Sequence, residues 1–254
     1  MGIQFQCVAK SQHRGPRHFN RSLAGLCAHR FFELRRARGC LRQHLAMSAL
    51  LDLVFPSKCV VCERPPQLVC SGCLPAPRPR SELLTGYRLS YALDLEDAAE
   101  KLITGYKDQS KLALASDLAD YLDLALEQLP GKPTNFLVPP SSSKNFARRG
   151  YNPVELICSK SVQLRPLKRV RARSVKFTLD QRGLSAKDRR ENLEGAFEVE
   201  SGSGSLLIVD DVVTTGATAL SLASASAAAG FEVAGICVVA RRISPSQTRE
   251  VKKA

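Results

Sequence analysis

The stretch Leu206-Leu-Ile-Val-Asp210-Asp211-Val-Val-Thr214-Thr215-Gly216-Ala217-Thr218 decides the reading of this 254-residue chain. Its first four residues form an apolar run, preceded by the flexible Ser201-Gly-Ser-Gly-Ser205, and predict a strand buried on both faces. Two carboxylates come next at the strand's tip, then a short Thr/Gly loop, then an Ala/Ser-rich helix over Thr218 to Ala229. Gly216 permits a tight loop, and the amides from Thr214 to Thr218 can converge on an anion at the helix N-terminus, with three threonine hydroxyls adding donors. A monophosphate fits such a nest. Adjacent acids beside a bound phosphate would repel it, so their partners are neutral hydroxyls or a hard cation. A sugar 5-phosphate supplies phosphate and hydroxyls on one molecule. A Walker B site would need a G-x-x-x-x-G-K-[ST] that the chain lacks, and a receiver domain places its acids at its start. Solvated acids capping a strand account for Asp210 and Asp211 but not for the Thr-Thr-Gly-x-Thr loop.

Outward from this stretch, helix-like and strand-like segments alternate. Apolar residues at helical spacing predict two packed helices over Asp94 to Tyr106 and Ser110 to Leu129, the second ending at Pro130-Gly131. Strands are predicted at Asn135 to Val138, Lys168 to Ala172 and Phe231 to Ala240, with helices at Pro153 to Leu164 and Ala186 to Asn192. This order implies an α/β fold, an open and mainly parallel sheet with helices on both faces. Ligands on such sheets bind beyond the carboxyl ends of the strands, which directs attention to the residues after Val138 and after Val209.

Four cysteines lie close together upstream. Cys59-Val-Val-Cys62 and Cys70-Ser-Gly-Cys73 are two C-x-x-C knuckles that can each wrap one metal ion, and Pro65-Pro66 makes a reversal between them. Structural zinc in a small ribbon-like module, closed to substrate by its four thiolates, is the expectation. A redox C-x-x-C or a pair of disulfides would call for a βαβ setting or a secretory signal, and neither is evident. Cys158 and Cys237 sit among apolar residues and read as buried small hydrophobes. Leu74-Pro-Ala-Pro-Arg-Pro-Arg80 reads as a stiff linker with a boundary near residue 77.

The net charge of +13 is unevenly spread, since residues 1–46 hold nine basic residues and one acid, Glu33. That segment contributes +8, leaving +5 for the rest, so the overall basicity is weak evidence of a nucleic-acid partner. Residues 1–46 read as a disordered extension or a start mis-assigned upstream of Met47, with a nucleic-acid-binding arm or an Arg-rich transit peptide as alternatives. No apolar run is long enough to span a membrane, and a cytoplasmic location is expected.

The 13 residues from Leu206 to Thr218 resemble the phosphoribosyl pyrophosphate (PRPP) signature of the type I phosphoribosyltransferases. In that family the paired acids hold the ribose 2- and 3-hydroxyls and the loop holds the 5-phosphate. Val138-Pro-Pro-Ser-Ser-Ser-Lys144, Arg148-Arg149-Gly150-Tyr151-Asn152, Gln181-x-x-Leu184-Ser185 and Arg189-x-x-Asn192-x-x-Gly195-Ala196-Phe197 further resemble the ComF family. That family is named for DNA-uptake competence and joins a four-cysteine zinc module to a phosphoribosyltransferase domain. The resemblance runs from about residue 50 to 242 and departs at Val-Pro-Pro-Ser, where the family usually has Val-Pro-Val-Pro.

Composition and the resemblance together divide the chain into a basic extension (1–46) that lies outside the resemblance, a zinc module (47–76), a helical hood or linker (77–134), a type I phosphoribosyltransferase core (135–242) and a tail (243–254). The resemblance implies Asp210, Asp211 and Arg189 as catalytic residues and Thr214, Thr215, Gly216, Ala217 and Thr218 as the 5-phosphate loop. Ser141, Ser142, Lys144, Arg148 and Arg149 would cradle pyrophosphate, with Mg²⁺ arriving on PRPP. Arg189 would sit on a basic lid, Gln181 to Asn192. Cys59, Cys62, Cys70 and Cys73 would be the zinc ligands. The implied activity is Mg²⁺-dependent transfer of 5-phosphoribosyl to an acceptor that no signature identifies. The alternative is a non-catalytic PRPP-binding protein, or an accessory factor that engages single-stranded DNA or the competence machinery.

Overall fold

The computed structural model describes residues 57–175 and 195–242. Residues 1–46, the lid with Arg189, and the tail lie outside the described residues. Two strands, β1 (Arg80–Leu84) and β2 (Tyr87–Asp94), are followed by α1 (Asp97–Lys107) and α2 (Ala115–Leu126). Then come β3 (Asn135–Leu137), α3 (Ser143–Arg149), α4 (Pro153–Lys160), β4 (Lys168–Val170), β5 (Ala172–Ser174) and β6 (Phe197–Val199). The last elements are β7 (Ser205–Val213), α5 (Ala217–Ala228) and β8 (Glu232–Arg241).

Among the described residues, a six-stranded sheet runs β1-β2-β8-β7-β3-β4, parallel throughout except for the β1–β2 hairpin. A separate antiparallel pair joins β5 to β6. The architecture is therefore α/β with a mostly parallel, mixed sheet. Its two faces are covered differently because the period of a strand sends alternate side chains to opposite sides. Leu206 and Ile208 of β7 pack with Leu222 and Ala223 of α5, while Leu207 and Val209 join the cluster that holds α1, α2 and α4.

The hairpin is the main departure from the expected layout. Residues 77–134 were expected to supply helices alone, yet they add two strands to the sheet, and five consecutive residues of β2, Leu89 to Leu93, are buried. Neither strand contains Val, Ile or Thr, so the β-branched signal that marks Leu206 to Val209 and Glu232 to Arg241 is missing there. The linker is also docked, with the Tyr121 hydroxyl donating to Pro75 O at 2.6 Å and the Arg78 amide to Ala92 O at 2.7 Å.

The cysteine knuckles share the main core. Cys59 and Val69 are buried in one cluster with Leu102, Ile103, Tyr106 and Leu114. Gly105 of α1 permits this approach, since a Cβ there would lie 2.8 Å from Val60 Cγ1. Cys158 and Cys237 are buried as expected, and burial pushes both thiols up, Cys237 to about 12. Among the described residues no helix is long and apolar enough to cross a membrane.

Candidate functional site

The acidic pair lies inside β7 rather than at its tip. β7 continues to Val213 along β8, because Val212 and Val213 pair with Ala240 and Arg241. The neighbour on the other side, β3, stops at Leu137 opposite Ile208, so Asp210 and Asp211 stand beyond its carboxyl end. The two strands are parallel, and the direction in which the chain winds along the sheet reverses between them. From β3 the chain proceeds through α3 and α4 to β4 at the edge, and from β7 through α5 to β8 on the other side. A crevice at such a switch point is where open α/β sheets bind ligands.

Asp211 is buried and forms an ion pair with Lys107, the last residue of α1, with Nζ 2.7 Å from Oδ2. Asp210 Oδ1 accepts the Asp211 amide at 2.8 Å. Burial, and then the adjacent Asp211 carboxylate, push the Asp210 carboxyl up to about 8 against the pull of Lys107. Burial also opposes the charge on Lys107, but the Asp211 and Asp210 carboxylates outweigh it and raise its pKa above the ordinary lysine value.

The Thr loop comes directly after. Gly216 is in the left-handed conformation (φ 79°) and caps α5, whose helix begins at Ala217, one residue earlier than expected. The Thr215 hydroxyl accepts the Ala217 amide at 3.4 Å, Thr214 is exposed, and Thr218 lies in the first turn of α5. Two parts of the sheet hold this loop in place. Arg241, 6% exposed at the end of β8, donates to Thr214 O and pairs with Glu82 Oε1 of β1 at 3.0 Å. Leu84 of β1 packs over Gly216.

The expected pyrophosphate cradle is arranged differently from the sequence reading. Ser141 and Ser142 lie in the loop after β3, but Lys144 is on α3, and the Ser142 hydroxyl caps that helix by accepting the Asn145 amide at 3.3 Å. A short polar N-cap succeeded by Ala and Arg, with Gly150 at the C-cap, accounts for a helix that the loop reading overlooked. Arg148 and Arg149 hold Asp108 Oδ1 at 3.1 and 3.0 Å, and Arg149 Nε donates to Lys107 O at 2.9 Å. Burial works against the Asp108 charge, yet the two guanidiniums prevail and keep its carboxyl below the usual carboxylate range.

Lys107, Asp108, Glu82, Leu84 and Arg241 were not legible as site residues. Lys107 is one basic residue in the last turn of an amphipathic helix, a place where cations are ordinary.

The second site is the cysteine cluster. The sulfurs of Cys59, Cys62, Cys70 and Cys73 all lie within 4.8 Å of one another, and Cys62 Sγ is 3.7 Å from Cys70 Sγ. Four thiolates ~2.3 Å from a tetrahedral ion would stand ~3.8 Å apart, so the donors fit a metal such as zinc. Burial opposes ionisation of Cys59, but the amides of Cys62, Cys70 and Val61 aimed at its sulfur bring the thiol down to about 6. Hydrogen bonds to the sulfurs of Cys70 and Cys62 push Cys73 up to about 12. A cation entering the cluster would favour the thiolate at every position.

No family model matches the chain. Over 79 residues it is 42% identical to Competence protein F of Haemophilus influenzae, a match covering 28% of this chain and 34% of that protein. Over 181 residues it is 32% identical to DNA utilization protein YhgH of Salmonella typhi, covering 66% of this chain and 76% of the relative. The protein of the same name from Escherichia coli K12 is 31% identical over 173 residues, 61% of this chain and 70% of the relative. With these relatives and a four-cysteine cluster preceding the α/β sheet, the chain belongs to the ComF family.

Proposed function

We propose that the chain binds PRPP at the β7–α5 site and, like the relatives named for competence and DNA utilization, serves the handling of DNA. The observation that carries this reading is the meeting of the Asp210–Asp211 pair with the Thr214–Thr218 loop at the switch point beyond β3. In this reading the sheet is of the type I phosphoribosyltransferase kind. The loop amides and the Thr214, Thr215 and Thr218 hydroxyls take the 5-phosphate, and the two carboxyls take the ribose hydroxyls. Ser141, Ser142 and Lys144 face the pyrophosphate, with Arg189 contributed by the lid. Mg²⁺ bound to ligand oxygens supplies electrophilic charge at the pyrophosphate.

Transfer of the 5-phosphoribosyl group to an acceptor, with release of pyrophosphate, is the enzymatic form of this function. Segment 77–134 then acts as the hood that meets the acceptor, and the cysteine cluster holds structural zinc.

Calorimetric titration of the full chain with PRPP, with and without Mg²⁺, tests the reading. Binding should weaken tenfold or more, about 1.4 kcal/mol, in both Asp210→Asn and Asp211→Asn. Unchanged affinity in both variants overturns the assignment. Pyrophosphate release with any acceptor separates a transferase from a PRPP-binding regulator.

A second reading, an accessory factor that holds single-stranded DNA, has its own support in the edge of the sheet. Lys160, Arg165, Lys168, Arg169, Arg171 and Arg173 are exposed along and beside β4 and β5, with no acid in that stretch of sequence. Two of them pair with acids elsewhere, Arg169 with Glu155 and Arg173 with Glu198. A DNA shift at micromolar protein that fades with salt and is reduced in Lys168→Glu/Arg171→Glu supports this reading. No shift at low salt removes it.

A further inference from the structure

The last turn of α1 stands between two features of the molecule that the sequence keeps far apart. On one side it packs on the cysteine knuckles through Gly105 against Val60, and further back along the helix Lys101 Nζ donates to Val61 O at 3.2 Å. On the other side it is clamped to the chain after β3. The Tyr106 hydroxyl donates to Pro153 O at 2.7 Å, the Tyr151 hydroxyl to Tyr106 O at 3.3 Å, and Arg149 Nε to Lys107 O at 2.9 Å. The residue delivered by this clamp is Lys107, whose ammonium meets Asp211.

An ammonium carries three N–H donors, and Asp211 Oδ2 occupies one. The Lys107 side chain keeps 27% of its exposure, against 7% for Asp211, so the lysine is less covered than the carboxylate it pairs with. Its main chain is tied to Arg149 and its neighbour Asp108 to both Arg148 and Arg149, which puts Lys107 between the acidic pair and the C-terminal end of α3, the helix that follows the loop after β3. A phosphorylated ligand approaching Asp210 and Asp211 would meet repulsion there unless a cation stood beside them.

We propose that Lys107 binds the pyrophosphate end of the ligand beside the acidic pair, and that the four-cysteine knuckle positions it through the last turn of α1. This inference rests on the PRPP reading of the β7 site. Lys107 touches the ligand directly; Val60 and Gly105 are positioning residues that act through it.

Calorimetry on the full chain with two probes, Mg·PRPP and ribose 5-phosphate, tests the proposal. In Lys107→Met, affinity for Mg·PRPP should fall at least tenfold further than affinity for ribose 5-phosphate, which registers only the loss of the Asp211 partner, and Lys107→Arg should recover part of the difference. A merely structural role, or a disturbance of Asp211 left without its partner, would weaken both probes alike and overturns the proposal. So does a Lys107→Met variant that binds Mg·PRPP as the wild type does. Val60→Ala, with its metal content and Tm measured alongside, should lose at least threefold in Mg·PRPP affinity and leave ribose 5-phosphate unchanged. Full Mg·PRPP affinity in this variant overturns the role given to the knuckle. A wild-type chain that binds neither probe overturns the underlying PRPP reading itself. That result differs from a failure of the Lys107 proposal, in which the wild type binds both probes.

Discussion

Leu84, the last residue of β1, closes so tightly over Gly216 that a Cβ at position 216 would come within 2.5 Å of Leu84 Cδ2. The loop that opens α5 is thus shaped by a hairpin from the opposite end of the sequence. With Arg241 holding Thr214 O and Glu82, β1 and β8 together hold the loop from Thr214 to Gly216.

Gly216→Ala meets two penalties at once, a left-handed backbone (φ 79°) and the side chain of Leu84. The backbone part alone costs about 1–2 kcal/mol. Chemical denaturation should register a loss of at least that size, together with weaker PRPP binding. Adding Leu84→Ala should relieve the steric part only. Wild-type stability and affinity in Gly216→Ala would show that the loop is not held as described.

Arg241→Met removes the donor to Thr214 O and the partner of Glu82. Truncating a buried charged hydrogen-bonding group costs about 1–3 kcal/mol. PRPP affinity should fall by about an order of magnitude through disorder of the loop, with metal content unchanged. A variant that keeps full affinity would separate the loop from the end of β8.

The Asp210 carboxyl, with its pKa raised to about 8 from an ordinary 3.8, sets a pH dependence of stability. The native state holds a proton that the unfolded chain has already released, so stability falls as pH rises from near 4 to near 8 and then levels off. Asp210→Asn abolishes this dependence. Its Tm advantage over wild type should therefore grow between pH 5 and pH 8, as scanning calorimetry would measure. A constant difference across that range contradicts the burial assigned to this group.

Cys59→Ser should release the metal and loosen more than the knuckle, because Cys59 is buried against Leu102, Ile103 and Tyr106. Elemental analysis should give about one zinc per wild-type chain and a clear deficit in the variant, with a lower Tm. Absence of metal from anaerobically purified wild type would refute the zinc assignment.

The parts of the molecule that were legible are those governed by neighbours in sequence. Cys59, Cys62, Cys70 and Cys73 declare themselves by spacing, and the structure gathers all four sulfurs. The run from Leu206 through Gly216 announces a buried strand and a tight glycine turn because both demands are local. Boundaries slipped where a partner strand decided them. The acids read as the tip of β7 only until β8 is seen to carry the strand on to Val213. The β1–β2 hairpin was overlooked because its strandedness comes from pairing with β8, not from β-branched residues of its own.

The sequence by itself therefore determined the α/β alternation, the four-cysteine cluster and the acid-plus-threonine motif, since periodicity, C-x-x-C spacing and turn chemistry act over a few residues. Only the tertiary structure decided that Lys107 neutralises Asp211, that Arg241 and Leu84 hold the Thr loop, and that the knuckles rest on α1. Each of those contacts joins residues brought together by the sheet order β1-β2-β8-β7-β3-β4 and the packing of α1 over it. A lone Lys, Arg or Leu carries no mark of its partner until the chain has been folded around that sheet.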